Sequence, residues 1–135
     1  MFSMKEVCKM TGISYETLKF YCNQGLIPNV QRDERNFRVF DQHDVDWIKN
    51  LTCLKRCGMS IREMKEYLAL CLQGTESIPE RKIMLATKQK ELFQKQKEIQ
   101  DSIEFINWKQ NLYDEILSGK REYISSLTAK GTSES

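Results

Sequence analysis

From residue 78 onward an apolar side chain returns at every seventh position: Ile78, Leu85, Leu92, Ile99, Ile106 and then Tyr113. Four residues after successive members of that series stand Gln89, Gln96, Ile103, Gln110 and Leu117. A seven-residue repeat with two seam positions belongs to an α-helix wound against another helix. At ~1.5 Å per residue, about forty residues reach roughly 60 Å. A helix of that length cannot bury its own stripe, so the stripe calls for a partner chain. Leu85, Leu92, Ile99, Ile103, Ile106 and Tyr113 are the candidate dimerisation residues. The three seam glutamines weaken the contact but can fix its register.

The residues before this helix break into short pieces with legible ends. Ser3 and Glu6, three apart, form a capping box, and the helix they open closes near Thr11-Gly12. Ser14 can cap a second helix that ends before Gly25. Two short helices joined by a tight glycine turn make a helix-turn-helix. Residues 29–40 are polar and extended, which predicts a small hairpin, a wing. Asp41 caps a helix to about Cys57, stopped by Gly58. Ser60 and Glu63 form another capping box for a helix to about Leu72, and residues 73–79 read as a polar linker. The predicted fold is mainly α. A winged helix-turn-helix DNA-binding domain with a small β-wing spans 1–73. A linker and coiled-coil dimerisation helix span 74–118, and a flexible tail spans 119–135.

Charge placement decides the partner class, because a net charge of +2 says little. Lys19, Arg32, Arg35, Arg38 and Lys49 lie among the aromatics Tyr15, Phe20, Tyr21, Phe37 and Phe40. Cations interleaved with aromatics suit a surface that grips phosphates and packs into a nucleic-acid groove. The longest apolar runs fall well short of a membrane span, so no membrane partner is expected. The opening Met-Phe-Ser-Met-Lys-Glu-Val lacks a signal-peptide core. With five cysteines, this reads as a cytoplasmic chain with free thiols. One histidine and the lack of a phosphate loop or metal-ligand cluster argue against an enzyme, a metal or a cofactor.

The motifs Ser14-x-x-Thr17-Leu18-Lys19-Phe20-Tyr21, Gly25-Leu26-Ile27-Pro28, Arg32-x-x-x-Asn36-x-Arg38-x-Phe40-Asp41 and Gly58-Met59-Ser60-Ile61-x-x-Met64 occur in that order. Together, over about residues 2–118, they resemble the MerR family of bacterial transcription regulators. Lys19 stands where an arginine is more usual, and Cys22 where an acidic residue is common. The resemblance implies a homodimer joined by an antiparallel coiled coil. It implies double-stranded DNA as partner, at a near-palindromic operator inside a promoter with an overlong spacer. It also implies distortion of that DNA so that RNA polymerase, an indirect partner, can use it. Activation would then work through DNA shape.

Within this frame the candidate DNA-binding residues are Ser14, Tyr15, Thr17, Lys19, Phe20 and Tyr21 on the second helix, and Arg32, Arg35, Asn36, Arg38 and Phe40 on the wing. Leu18 and Cys22, four apart, face inward; Tyr15 and Lys19, also four apart, face the groove. Tyr21 packs by its ring and reaches a phosphate with its hydroxyl. Arg32 has an alternative pairing with Asp33 or Glu34. Metal-sensing relatives place cysteines at the start of the long helix and in a loop after it. Here no cysteine follows Cys71 and no histidine follows residue 78, so a metal site of that kind is not expected.

Cys53 is the candidate sensor thiol. Its surroundings, Asn50 to Ser60, resemble the thiol-containing NmlR/AdhR-like branch that answers aldehydes and other electrophiles. Lys49 and Arg56 lie four before and three after it, on the same helix face. Nearby cations favour the thiolate, the nucleophilic form, although a helix C-terminus opposes an anion and cysteine is often just a small core residue. Cys8 and Cys22 read as core; Cys57 sits one turn from Cys53, and Cys71 can approach either. Two alternatives stand beside the sensing regulator: an effector-independent regulator of the same family, and a coiled-coil interaction module. The wing arginines speak against the module, which has no use for them.

Overall fold

The structure is a computed structural model and describes residues 1–125 and 127. The described chain falls into two compact units, residues 1–92 and the part from Phe93 on. The order of elements is β1 (Phe2–Ser3), α1 (Met4–Thr11), α2 (Tyr15–Asn23), β2 (Gln31–Arg32), β3 (Arg38–Phe40), α3 (Gln42–Arg56), α4 (Ile61–Leu72), a 3-10 turn (Gly74–Ser77) and α5 (Ile78–Leu117).

The capping residues act as the sequence leads one to expect. Ser3 with Glu6 and Ser60 with Glu63 close reciprocal boxes, and Ser14 accepts from the Thr17 N–H. Asp41 does the same with Asp44, a further box in which two aspartates exchange backbone bonds. Burial pushes the Asp44 carboxyl above its ordinary range, against the bond it accepts from the Asp41 N–H.

The sheet is larger than a hairpin. β3 sits in the middle, antiparallel to β2 on one side and to β1 on the other, with Phe2 opposite Phe40 and Gln31 opposite Val39. Under it lies a core of Val7, Leu18, Tyr21, Leu26, Phe40, Val45, Ile48 and Leu51, each 2% exposed or less. Trp47 packs against this core, half-buried, and donates its indole N–H to the Leu26 carbonyl at 2.7 Å, which fixes the chain as it leaves α2.

The first compact unit runs to Leu92. It includes the start of α5, where Met84 packs on the core and Lys88 is buried. The stretch expected as a polar linker is a 3-10 turn whose Ser77 is buried and donates to the Leu70 and Gly74 carbonyls. In the second unit, Leu112 and Ser125 are buried, and Arg121 reaches back to Glu115 at 3.7 Å. Arg121, Glu122 and Ile124 line a small depression with Leu112 and Ile116 of α5, while Tyr123 and Leu127 are exposed; the rest of the expected tail, residue 126 and residues 128–135, lies outside the described residues. No helix among the described residues is long and apolar enough to cross a membrane.

Candidate nucleic-acid interface

α2 sorts its side chains by face. Leu18 is fully buried and Tyr21 is 2% exposed, while Tyr15 and Phe20 are 54% and 45% exposed and Lys19 is exposed beside them. Cys22 is half-buried, and burial pushes its thiol up despite the nearby Arg38 and Arg32 guanidinium groups. Ser14 and Thr17 are engaged with each other: the Ser14 hydroxyl donates to Thr17 Oγ1 at 2.9 Å and accepts from the Thr17 N–H at 3.1 Å. Ser14 is therefore committed to the cap.

The wing is held by one aspartate and one asparagine. Asp33 Oδ1 accepts from the backbone N–H groups of Arg35 and Phe37 at 2.9 and 3.0 Å. Asn36 takes the left-handed conformation, φ 67°, a region asparagine tolerates. The tight turn leaves Arg35, Asn36 and Phe37 exposed at the tip. Arg32 does not pair with Asp33 or Glu34; its guanidinium donates to the Asn36 carbonyl at 2.8 Å. Arg38 crosses to α2 and donates to Asn23 Oδ1 at 2.8 Å. That bond ties the wing to the helix it flanks.

Phe40, expected on the interface, needs correcting. It is fully buried, opposite Phe2 in the sheet, and has no surface to offer a duplex. Tyr21 likewise contributes its ring to the core, and burial pushes its phenol up. Phe37, at 64% exposure, is the aromatic the wing presents. Lys5 was missed. It lines a groove of about 380 Å³ together with Tyr15, Arg32, Asn36, Phe37 and Arg38. It gets there because β1 pairs with β3, and a two-residue strand leaves no periodic signal in a sequence. Among the described residues, Lys5, Lys19, Arg32, Arg35 and Arg38 take no part in an ion pair. Asp33 also lines the groove, but its carboxylate is taken up by the backbone N–H groups of the wing, so Lys5, Arg32 and Arg38 outnumber it and leave the groove net positive, as a phosphate backbone requires.

A family model described as "MerR HTH family regulatory protein" matches residues 2–71, and one described as "MerR, DNA binding" matches residues 45–108. The chain belongs to the MerR family. A Haemophilus influenzae protein described as an uncharacterized HTH-type transcriptional regulator is 31% identical over 83% of this chain and 83% of its own. The regulator AdhR of Bacillus subtilis is 33% identical over 68% of this chain and 66% of its own. Among solved structures, HiNmlR, a MerR family regulator lacking the sensor domain and bound to promoter DNA, superposes with TM-score 0.71 at 30% identity, covering 87% of this chain and 93% of its own. A putative MerR family regulator from Listeria monocytogenes superposes with TM-score 0.77 at 30% identity, covering 90% and 92%. This chain is a DNA-binding MerR-family transcriptional regulator, and its relatives are described as regulators rather than enzymes.

The thiols of this MerR regulator divide by exposure. All five are free; Cys53 and Cys57 are exposed and Cys8, Cys22 and Cys71 half-buried. Cys57, not Cys53, lines a groove of about 390 Å³ with Met59, Lys82, Leu85 and Leu92. Cys71 lines a different depression, beside His43, Trp47 and Leu68. His43 is exposed, as a surface residue would be. No group of histidine, cysteine and carboxylate ligands suited to a metal occurs among the described residues.

Proposed function

We propose that this regulator binds a near-palindromic promoter operator as a homodimer, distorts that DNA, and is governed by an electrophile acting on Cys53. The observation that carries the DNA-binding part is the groove itself: the exposed Tyr15, Lys19 and Phe20 face of α2 stands beside a wing whose arginines have no ion-pair partner among the described residues. Tyr15, Thr17 and Lys19 read base edges in the major groove. Arg32, Arg35, Asn36 and Arg38, joined by Lys5, hold phosphates and set the register. HiNmlR, similar over most of this chain, is bound to promoter DNA. The dimer reading is supported by α5, whose Ile99, Ile103 and Ile106 are 46–62% exposed in the single chain. Two heads joined by a stiff helix pair impose their own separation on the duplex, at a deformation cost of a few kcal/mol. RNA polymerase then acts on the reshaped promoter without direct contact. The cytoplasm is the matching compartment for a protein that works on DNA through free thiols.

Cys53 enters through its exposure and its place on α3, one turn before the turn that joins α3 to α4. An adduct there repacks neighbours such as Leu51 and Leu54 and gives the two-state element a switch needs. The test is footprinting of DNA upstream of the protein's own coding sequence, with and without formaldehyde. The expected result is a symmetric protected region with altered cleavage at its centre, and an aldehyde response that Cys53→Ser abolishes while Cys57→Ala keeps it. A response surviving in Cys53→Ser rejects that thiol; no protected region at all rejects the operator.

A further inference from the structure

Lys88 occupies an unusual position for a lysine on a long helix. Only 8% of its surface reaches solvent. Its ammonium donates to Glu63 Oε2 at 2.8 Å and to Glu91 Oε2 at 3.0 Å, and approaches the Gly58 carbonyl at 3.4 Å. Three donors meet three oxygens, which is the full capacity of the group. Glu63 is bound twice as well, since its Oε1 accepts from the Ser60 N–H at 3.0 Å in the capping box of α4. One carboxylate therefore fastens the start of α4 to α5, and one ammonium fastens α5 to the turn between α3 and α4.

The Lys88 side chain is 10% exposed but those of Glu63 and Glu91 are 32% and 51% exposed, so the pairs are open to water on the carboxylate side and add little net stability. They do restrict geometry, because Lys88 is 8% exposed and its ammonium must stay within reach of its partners or lie unpaired where little water reaches it. A purely apolar contact would let α5 slide or tilt. The clamp therefore ties the first turns of α5 to the start of α4 and to the turn before it. Sequence alone gave no hint of it: lysine in a charged helix reads as a solvated face.

We propose that Lys88 is a positioning residue for operator spacing: by locking α5 to the α3–α4 turn, it sets how far apart and at what angle the two heads of a dimer meet the duplex. This rests on the homodimer reading above. Moving two half-sites by one base pair shifts one of them by about 3.4 Å and turns it by about 35°. A clamped head cannot follow that turn without deforming the DNA; a head on a slack joint can.

The test uses the full-length protein and duplexes carrying the footprinted operator, with its half-sites moved together or apart one base pair at a time. Unmodified protein is expected to lose on the order of tenfold in affinity per base-pair change, the size of a modest deformation cost. Lys88→Met keeps the volume and loses the charge. It is expected to bind the natural spacing comparably and to lose no more than about threefold on the shifted duplexes. Glu63→Gln, which keeps the capping bond and loses the charge, should do the same, and it carries the test if Lys88→Met fails to fold by circular dichroism. Undiminished spacing discrimination in the folded variant overturns the proposal, as does an equal loss of affinity at every spacing. Sedimentation separates the two levels. A monomeric unmodified protein overturns the dimer reading and this inference together. A dimer whose variants keep the discrimination overturns this inference alone.

Discussion

Arg38 gives one guanidinium two surfaces to serve, with Asn23 on α2 holding one edge at 2.8 Å and the groove taking the other. If it also holds a phosphate, Arg38→Ala weakens binding to all sequences alike and lowers the slope of log affinity against log salt by about one unit. Isotherms at several salt concentrations check this, and an unchanged slope removes Arg38 from the contact set. Leu18, fully buried on the inner face of the same helix, belongs to the core rather than the interface. Leu18→Ala should cost about 2–5 kcal/mol in denaturant unfolding, and a loss below 1 kcal/mol would mean the head repacks more freely than its burial implies. At this scale the sequence was legible where a pair four apart sets a face, as Leu18 and Cys22 do against Tyr15 and Lys19. It misled at Phe40. An aromatic beside an arginine looks the same whether it faces a groove or a core, and only its pairing with Phe2 in the sheet decides.

Among elements, the helices could be read from their caps because capping chemistry is local: Ser3, Ser14, Asp41 and Ser60 each bond within three residues. β1 could not be read, since a strand of two residues exists only through its distant partner. The wing's exposed tip turns on Asn36, whose left-handed backbone a β-branched side chain resists. Asn36→Val is expected to cost about 1–2 kcal/mol in stability and to loosen the wing, while Asn36→Gly keeps it. Hydrogen exchange of the Phe37 N–H, bound to Asp33, reports the difference. The clamp between α4 and α5 has its own pH window. The Lys88 bond, with the Ser60 N–H, holds Glu63 below its ordinary 4.5, so its contribution is present above that value and is lost as pH falls through the lowered one. Glu63 and Glu91 hold Lys88 above its ordinary 10.5, so its contribution is present below that value and is lost as pH rises through the raised one. The difference in melting temperature between the unmodified protein and Lys88→Met should therefore stay level between those limits and shrink outside them. A difference that changes near neutral pH would assign the effect to other groups.

For the whole molecule, the seven-residue repeat constrained the fold most. It identified α5 and left exposed apolar side chains, Leu92 at 39% and Ile99 at 62% among them, that no other described residue of the single chain covers to burial. It did not reveal that the first turns of α5 pack into the first compact unit, because Met84 and Lys88 lie off the seam, Met84 against the core and Lys88 on Glu63 of α4 and the Gly58 carbonyl. Replacing both Leu92 and Ile99 with aspartate puts charges into the proposed seam, so monomers or unfolded chains are expected in place of dimers. The claim on which the rest depends is that two copies act together on one duplex. Sedimentation of the unmodified protein, alone and with the footprinted operator, measures this directly. The account predicts a dimer in free solution and two chains per duplex. A stable monomer that loads one chain per duplex would contradict it.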